Sequence, residues 1–266
     1  MPDLDAETLP EHIADFEVLI VRSTKVTAAA LDQADSLGLI VRAGAGTNTI
    51  DCDRAAELGV YVCNVPGKNA LAVAELTMGL LIAIDRHIAA GTADLRAGTW
   101  NKKAYSKAEG LFGRRMGIIG VGDIGIATAA RGSAFGIDVV AVAKPGRSDL
   151  AVTRAEAAGI TFVDTLDELL ATSNIVSLHV PGSADTKGMV DMGFLAKMRD
   201  GALLLNTSRG DVVDEAALIA AMDDRASRRL SSPARSTSVR AVSHASMIAT
   251  TSGVCAISVA GTPSAS

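Results

Sequence analysis

From residue 16 onward, short apolar runs of strand length alternate with stretches whose apolar residues recur at helical spacing. Repeating βαβ units around a parallel sheet produce this pattern. The first strands fall at 16–21, 39–43 and 60–64, and the helices between them, 27–33 and 51–58, open on Thr27 and Asp51, whose side-chain oxygens suit an N-cap. A long apolar helix over 70–90 follows, after which Gly91, Gly98 and the turn-rich WNKKAYSKAEG mark a boundary near Gly98. A second set of strands occupies 115–119, 137–142, 161–163, 175–179 and 202–206, with helical stretches between successive strands. Asp191 before MGFLAKM and Asp214 before EAALIAAM are further N-caps. The pattern predicts an α/β chain of three parts: a first domain over 1–97, a second over 98–225 built on a parallel sheet, and a tail over 226–266.

Composition narrows the function more than the fold. A net charge of -5 supplies no basic field for nucleic acid, and no apolar run approaches the roughly 18 residues that span a bilayer. Neither a nucleic acid nor a membrane is expected as a partner. The start MPDLDAETLPEH lacks the sections of a secretory signal, so a cytoplasmic protein is expected. Cys52, Cys63 and Cys255 show no CxxC spacing and read as free thiols, with Cys63 a buried strand residue and no metal site. The tail is different in kind: after Asp224 there is no Asp or Glu, and Arg228, Arg229, Arg235 and Arg240 are its charges. With no period of 2 or 3.6, it is expected to lack structure.

The strand RRMGII runs directly into GVGDIG and then into the helical IATAARGSAFG. In that strand-turn-helix context Gly120 permits a tight turn, Gly122 lets a pyrophosphate approach the backbone, and Gly125 allows helix and strand to pack closely. The helix start at Asp123 and Ile124 offers free N–H groups and the positive end of the helix dipole. A dinucleotide site follows. About 20 positions on, where NAD-selective domains carry an acid for the ribose, the chain reads AVAKPGRSD. Lys144, Arg147 and Ser148 could hold a 2′-phosphate there or be solvated loop residues, so the cofactor is NAD or NADP.

Several blocks in order carry a resemblance: LIVRSTKVT, VRAGAGTNTID, VCNVPGKNALAVAELTMGLL, GTWNKK, MGIIGVGDIG, NIVSLHVPGSADTKGMV and FLAKMRDGALLLNTSRGDVVDEAAL. From about Phe16 to Met222 the chain resembles the D-2-hydroxyacid dehydrogenases, and RSTKVT with RAGAG favours the phosphoglycerate branch. The resemblance implies that 1–97 is an incomplete flavodoxin-like substrate domain, its N-terminal part missing, and that 98–225 is a Rossmann-type doubly wound parallel-sheet domain that binds NAD(P). It implies an oxidoreductase moving a hydride between a nicotinamide cofactor and a D-2-hydroxy acid such as 3-phosphoglycerate, a step of serine biosynthesis, in a homodimer. By the same resemblance Arg209 binds and polarises the substrate's carboxylate and keto oxygen, a task suited to a guanidinium fork. Arg22 and Ser23 contact the substrate's phosphate, and the N–H groups of Gly44, Ala45 and Gly46 cradle its carboxylate. His179, Val180 and Pro181 line the adenosine end of the cofactor, with Thr207, Ser208 and Arg209 on the nicotinamide side. Taken alone, Arg209 could be a surface cation and His179 a capped residue at the core edge; His12 and His87 read as surface residues.

The chain departs from the family in one respect that bears on chemistry. The family's proton-transfer pair is a histidine oriented by a glutamate, expected about thirty residues beyond Arg209, and no carboxylate stands there. SHASM does not resemble the family's proline-histidine block, so His244 is given no catalytic role. The abrupt change points to a frameshift or misread gene end, with family-like sequence expected in another reading frame past Met222. Two further readings stay open: a chain that binds a dinucleotide without turnover, and a corepressor-like NAD(H) sensor.

Overall fold

All four N-caps expected from the sequence form. Thr27 accepts from the N–H of Ala30, Asp51 from Arg54, Asp191 from Phe194 and Asp214 from Ala217, each oxygen satisfying a donor that helix geometry leaves free. A computed structural model describes residues 4–106, 108–230 and 255–258. By internal contacts the chain divides into two units, residues 1–70 and 71–266.

In the first unit three parallel strands, β1 (Val18–Val21), β2 (Leu39–Arg42) and β3 (Tyr61–Asn64), lie in that order, linked by α1 (Ala28–Leu31) and α2 (Cys52–Glu57). The period of 2 sends Val21 and Ile40 to one face, where they join Leu9, Ile13, Leu31 and Ala55 in a single core. Val18, Ile20 and Tyr61 are exposed on the other. Register places Ile20 opposite Val41 and Val41 opposite Cys63, so Cys63 shares that open face. It is exposed rather than buried, because an apolar run does not reveal which face of a sheet is covered.

The second unit begins with helices. The long helix expected over 70–90 is two, α3 (Ala70–Asp85) and α4 (Ile88–Arg96), broken where His87 takes a left-handed conformation at φ 53°. Asp85, almost wholly buried, accepts from the N–H of Gly110 at 3.2 Å and pairs with Arg114 at 3.4 Å, which ties the end of α3 to the approach to the second sheet. A short α5 (Lys102–Tyr105) follows. The division after Ala70 falls ahead of Gly98, since Met78 and Leu81 of α3 belong to the same core as Met116 and Ile118.

The sheet contains β4 (Arg115–Ile119), β5 (Asp138–Val142), β6 (Ile160–Val163), β7 (Ile175–Leu178), β8 (Leu203–Asn206) and β9 (Cys255–Ser258), in the order β6-β5-β4-β7-β8-β9. The first five run parallel, and β9 pairs antiparallel with β8. The connecting helices are α6 (Asp123–Ala134), α7 (Asp149–Ala157), α8 (Leu166–Thr172) and α9 (Met192–Lys197), with α10 (Glu215–Leu230) after β8. Every residue of β7 and β8 is buried, as befits parallel strands covered on both faces. Part of the segment expected to lack structure is therefore regular, since α10 runs to Leu230 and β9 lies within it. The rest of that segment, His244 included, lies outside the described residues. Among the described residues no helix is long and apolar enough to cross a membrane.

Gly117 shows how tightly α8 packs on β4. A Cβ there would stand 2.3 Å from Cδ2 of Leu169 and 2.8 Å from Oγ of Ser173. Leu169→Ala should cost about 2–5 kcal/mol and Gly117→Ala about 1–3 kcal/mol, but the double variant less than their sum, since removing Leu169 makes room for the new methyl group. Urea unfolding of the four proteins checks this; strict additivity would contradict the packing.

Candidate functional site

Open parallel sheets bind ligands beyond the carboxyl ends of their strands, where the winding reverses. The chain leaves β4 through α6 towards β5 and returns on the other side through α8 to β7, so the reversal lies between β4 and β7. The glycine turn occupies that place. Gly120 has φ +103°, and a Cβ on it would stand 2.5 Å from the carbonyl carbon and oxygen of His179. It thus serves a close approach of two strand ends as well as a turn. A Cβ on Gly125 would lie 2.1 Å from the carbonyl oxygen of Gly120, so the start of α6 can sit against the turn only without one. Gly122 is the opposite case: a Cβ there meets nothing within 4 Å. Its backbone, at the N-cap position of α6, faces open space where the helix's first N–H groups emerge. Asp123 and Ile124 form the first turn, with Asp123 paired to Arg154 of α7 at 2.9 Å.

Beyond β7 and β8 the structure places His179 and Thr207 side by side in the interior. His179 is 9% exposed; its Nε2 lies 2.9 Å from Oγ of Ser177 and its Nδ1 3.4 Å from Oγ1 of Thr207. Thr207 in turn lies 3.0 Å from Oγ1 of Thr77 on α3. Burial pushes the His179 imidazole down from 6.5 to about 4, so the ring is neutral near pH 7. The following turn is clamped by Asn206, which is 2% exposed. Its side-chain carbonyl accepts from the N–H and hydroxyl of Ser208, and its amide donates to the carbonyl oxygen of Arg209 at 2.8 Å. The guanidinium of Arg209 donates to the Ser208 carbonyl at 2.9 Å, and its stem lies against Gly182, just past Val180 and Pro181. Thr77, Ser177 and Asn206 escape a reading of the sequence alone. Their common signal is a polar residue inside an apolar helix or strand, which needs a partner wherever it is buried.

At the end of β5 Lys144 is exposed. Its neighbours have other engagements: Arg147 lies over the ring of Phe162 at 4.8 Å, and Ser148 caps α7 by accepting from Ala151. In the first unit Arg22 and Ser23 follow β1, and Gly44, Ala45 and Gly46 follow β2, at the same edge of the parallel sheet. Arg22 and Ser23 are exposed. The N–H of Gly44 is turned back to the carbonyl of Arg42 at 2.7 Å, while the carbonyls of Gly44 and Ala45 accept from Val65 and Asn64. Gly44 also makes room for a neighbour, since a Cβ there would fall on the Arg42 guanidinium. No group of three or more His, Cys, Asp or Glu among the described residues is placed to hold a metal ion.

Comparison with known proteins agrees with this geometry. The model of the D-isomer specific 2-hydroxyacid dehydrogenase NAD binding domain matches residues 78–231. A hydroxypyruvate reductase of Thermotoga maritima is 43% identical over 218 residues, covering 81% of this chain and 68% of the relative. A D-3-phosphoglycerate dehydrogenase of Methanocaldococcus jannaschii is 37% identical over 222 residues, covering 83% of this chain and 41% of the relative. The chain thus spans about two thirds of the first relative's length and about two fifths of the second's. Among solved structures, a D-lactate dehydrogenase of Aquifex aeolicus complexed with NAD and lactic acid aligns with a TM-score of 0.70 at 29% identity, over 83% of this chain and 63% of that one.

The neutral His179 makes stability depend on pH with a definite sign. Its folded value, about 4, lies below the ordinary 6.5, so between these the unfolded chain binds the extra proton. The contribution is present above 6.5 and lost as the pH falls towards 4, with a full span on the order of 3 kcal/mol. Unfolding free energies between pH 7.5 and 5 should fall more steeply for the wild type than for His179→Asn; equal slopes would contradict a buried neutral ring.

Proposed function

The chain belongs to the D-isomer specific 2-hydroxyacid dehydrogenases, and on that premise we propose that it binds NAD or NADP at the turn of Gly120, Gly122 and Gly125 and serves hydride transfer to or from a D-2-hydroxy acid. The observation that carries this is the contrast within the turn. At Gly120 and Gly125 a Cβ would collide with the protein's own backbone, whereas at Gly122 it would enter only the space that a pyrophosphate would fill. The residues present therefore fit the group: the N–H groups at Asp123 and Ile124 hold the phosphates. His179, Val180 and Pro181 line the adenosine end, and Thr207, Ser208 and Arg209 the nicotinamide side. The cofactor supplies the hydride acceptor or donor; Arg209 binds and polarises the carboxylate and keto oxygen of the substrate. Arg22 and Ser23 take its phosphate, and the N–H groups of Ala45 and Gly46 bind its carboxylate, the N–H of Gly44 being spent on the carbonyl of Arg42. The favoured substrate is 3-phosphoglycerate, with assembly as a homodimer in the cytoplasm.

Lys144 argues for NADP as an alternative to NAD, since an exposed cation at the end of β5 attracts a 2′-phosphate that a carboxylate would repel. A second reading, binding without turnover, is favoured by one observation: no Asp or Glu follows Asp224, so the carboxylate that would orient the family's proton-transferring histidine is missing from 225–266.

A binding series followed by a turnover assay tests both readings. Wild type should bind NADH or NADPH, and Gly122→Val, whose side chain points into open space from an extended backbone, should keep its stability while binding at least about tenfold more weakly. Unchanged affinity in a folded Gly122→Val would refute the site. Cofactor reduction with 3-phosphoglycerate supports the dehydrogenase; binding without reduction supports the second reading.

A further inference from the structure

Four buried side chains form a hydrogen-bonded run whose direction follows from counting protons. Thr77, Ser177 and Thr207 are 0%, 0% and 5% exposed, and His179 is 9% exposed. Thr77 Oγ1 lies 2.8 Å from the carbonyl of Val73, one helical turn back, and a carbonyl only accepts, so the Thr77 proton goes there. The 3.0 Å contact between Thr77 and Thr207 must then use the Thr207 proton. That hydroxyl has no second proton, so its contact with His179 is donated by the ring's Nδ1–H. A neutral imidazole carries one N–H, which leaves Nε2 to accept from the Ser177 hydroxyl at 2.9 Å. Each member gives one proton, and none is left over. The other tautomer would set two lone pairs against each other at Thr207 and make Ser177 an acceptor, its own proton left without an acceptor among the described residues, in an interior where an unmade hydrogen bond is costly.

We propose that Thr77 is a positioning residue of the dinucleotide site: through Thr207 it fixes His179 as the Nδ1–H tautomer and anchors the turn of Thr207, Ser208 and Arg209 to α3. The positioning role rests on the reading that this turn serves the cofactor; the tautomer does not. The Thr207 hydroxyl gives its proton to Thr77 and takes one from His179, so both are spent inside the protein. Asn206 holds the same turn from its other end, and together the two anchors fix the backbone that carries Arg209.

Long-range 1H–15N spectra of the full chain at pH 7 without cofactor read the ring directly, with the His179 signals assigned from their loss in His179→Asn. The expected pattern is a protonated, pyrrole-type Nδ1 and an unprotonated, pyridine-type Nε2. A protonated Nε2, alone or together with Nδ1, would overturn the assignment. Thr77→Val removes the acceptor at nearly constant shape and should mix the two tautomers and weaken NADH binding about fivefold, the equivalent of one lost hydrogen bond. Thr77→Ser, which restores the hydroxyl, should recover both. If Thr77→Val fails to fold, Thr77→Ser decides: a wild-type ring pattern and affinity support the role, and loss of either refutes it. A folded Thr77→Val with unchanged tautomer and affinity refutes it as well. If wild type binds no dinucleotide, the positioning role falls with the function it serves, while the tautomer is still decided by the spectra.

Discussion

The end of β4 and the end of β7 meet backbone to backbone, with the α-carbon of Gly120 so close to the carbonyl of His179 that a Cβ would stand 2.5 Å away. Much else follows from that approach. It lets the two strands that flank the reversal in winding run to their ends in register, Ile119 opposite Leu178. It fixes where the chain turns into α6, and Gly125 then lets the helix start against the turn itself. A helix start held in this way presents its free N–H groups to one side with no protein in front of Gly122. The same approach brings His179 inward, where Ser177 and Thr207 complete its hydrogen bonds. The open face at Gly122, where we propose that a pyrophosphate binds, and the buried polar run are therefore two sides of one contact.

The fold was legible because its signals are local and repeated. Runs such as IVSL and LLLN, set between helical stretches in repeating βαβ units, read as parallel strands, and caps such as Asp191 act within one turn of themselves. The glycine turn was legible for a different reason: three glycines at fixed spacing between a strand and a helix satisfy several steric demands at once, so the pattern carries its own explanation. Strand ends fell within a residue or two of expectation, as hydrogen-bonded ends do.

What the sequence concealed depends on contacts between distant residues. Thr77 and Thr207 are 130 positions apart, and nothing near either one announces the other. Cys63 sits in an apolar run, but its exposure depends on which face of a three-stranded sheet the helices cover. The apolar pattern resumes at Ile88 after Asp85, Arg86 and His87 and so reads as one helix, yet the helix breaks at His87, next to an Asp85 fastened to Gly110 and Arg114. Gly44 looked like a donor to a ligand; its N–H is turned inward, and its lack of a side chain admits Arg42. In each case periodicity identified the element, and a tertiary partner decided what the residue does.

The proposed function depends on the N–H groups after Gly120 receiving a pyrophosphate. Backbone amide spectra of the labelled chain during titration with ADP and then NADH test it most directly. Both ligands should shift the amides of Val121, Gly122, Asp123 and Ile124 most strongly, since both carry the pyrophosphate, and only NADH should reach Ser208 and Arg209. Largest shifts in another part of the chain, or none in this turn at saturating ligand, would contradict it.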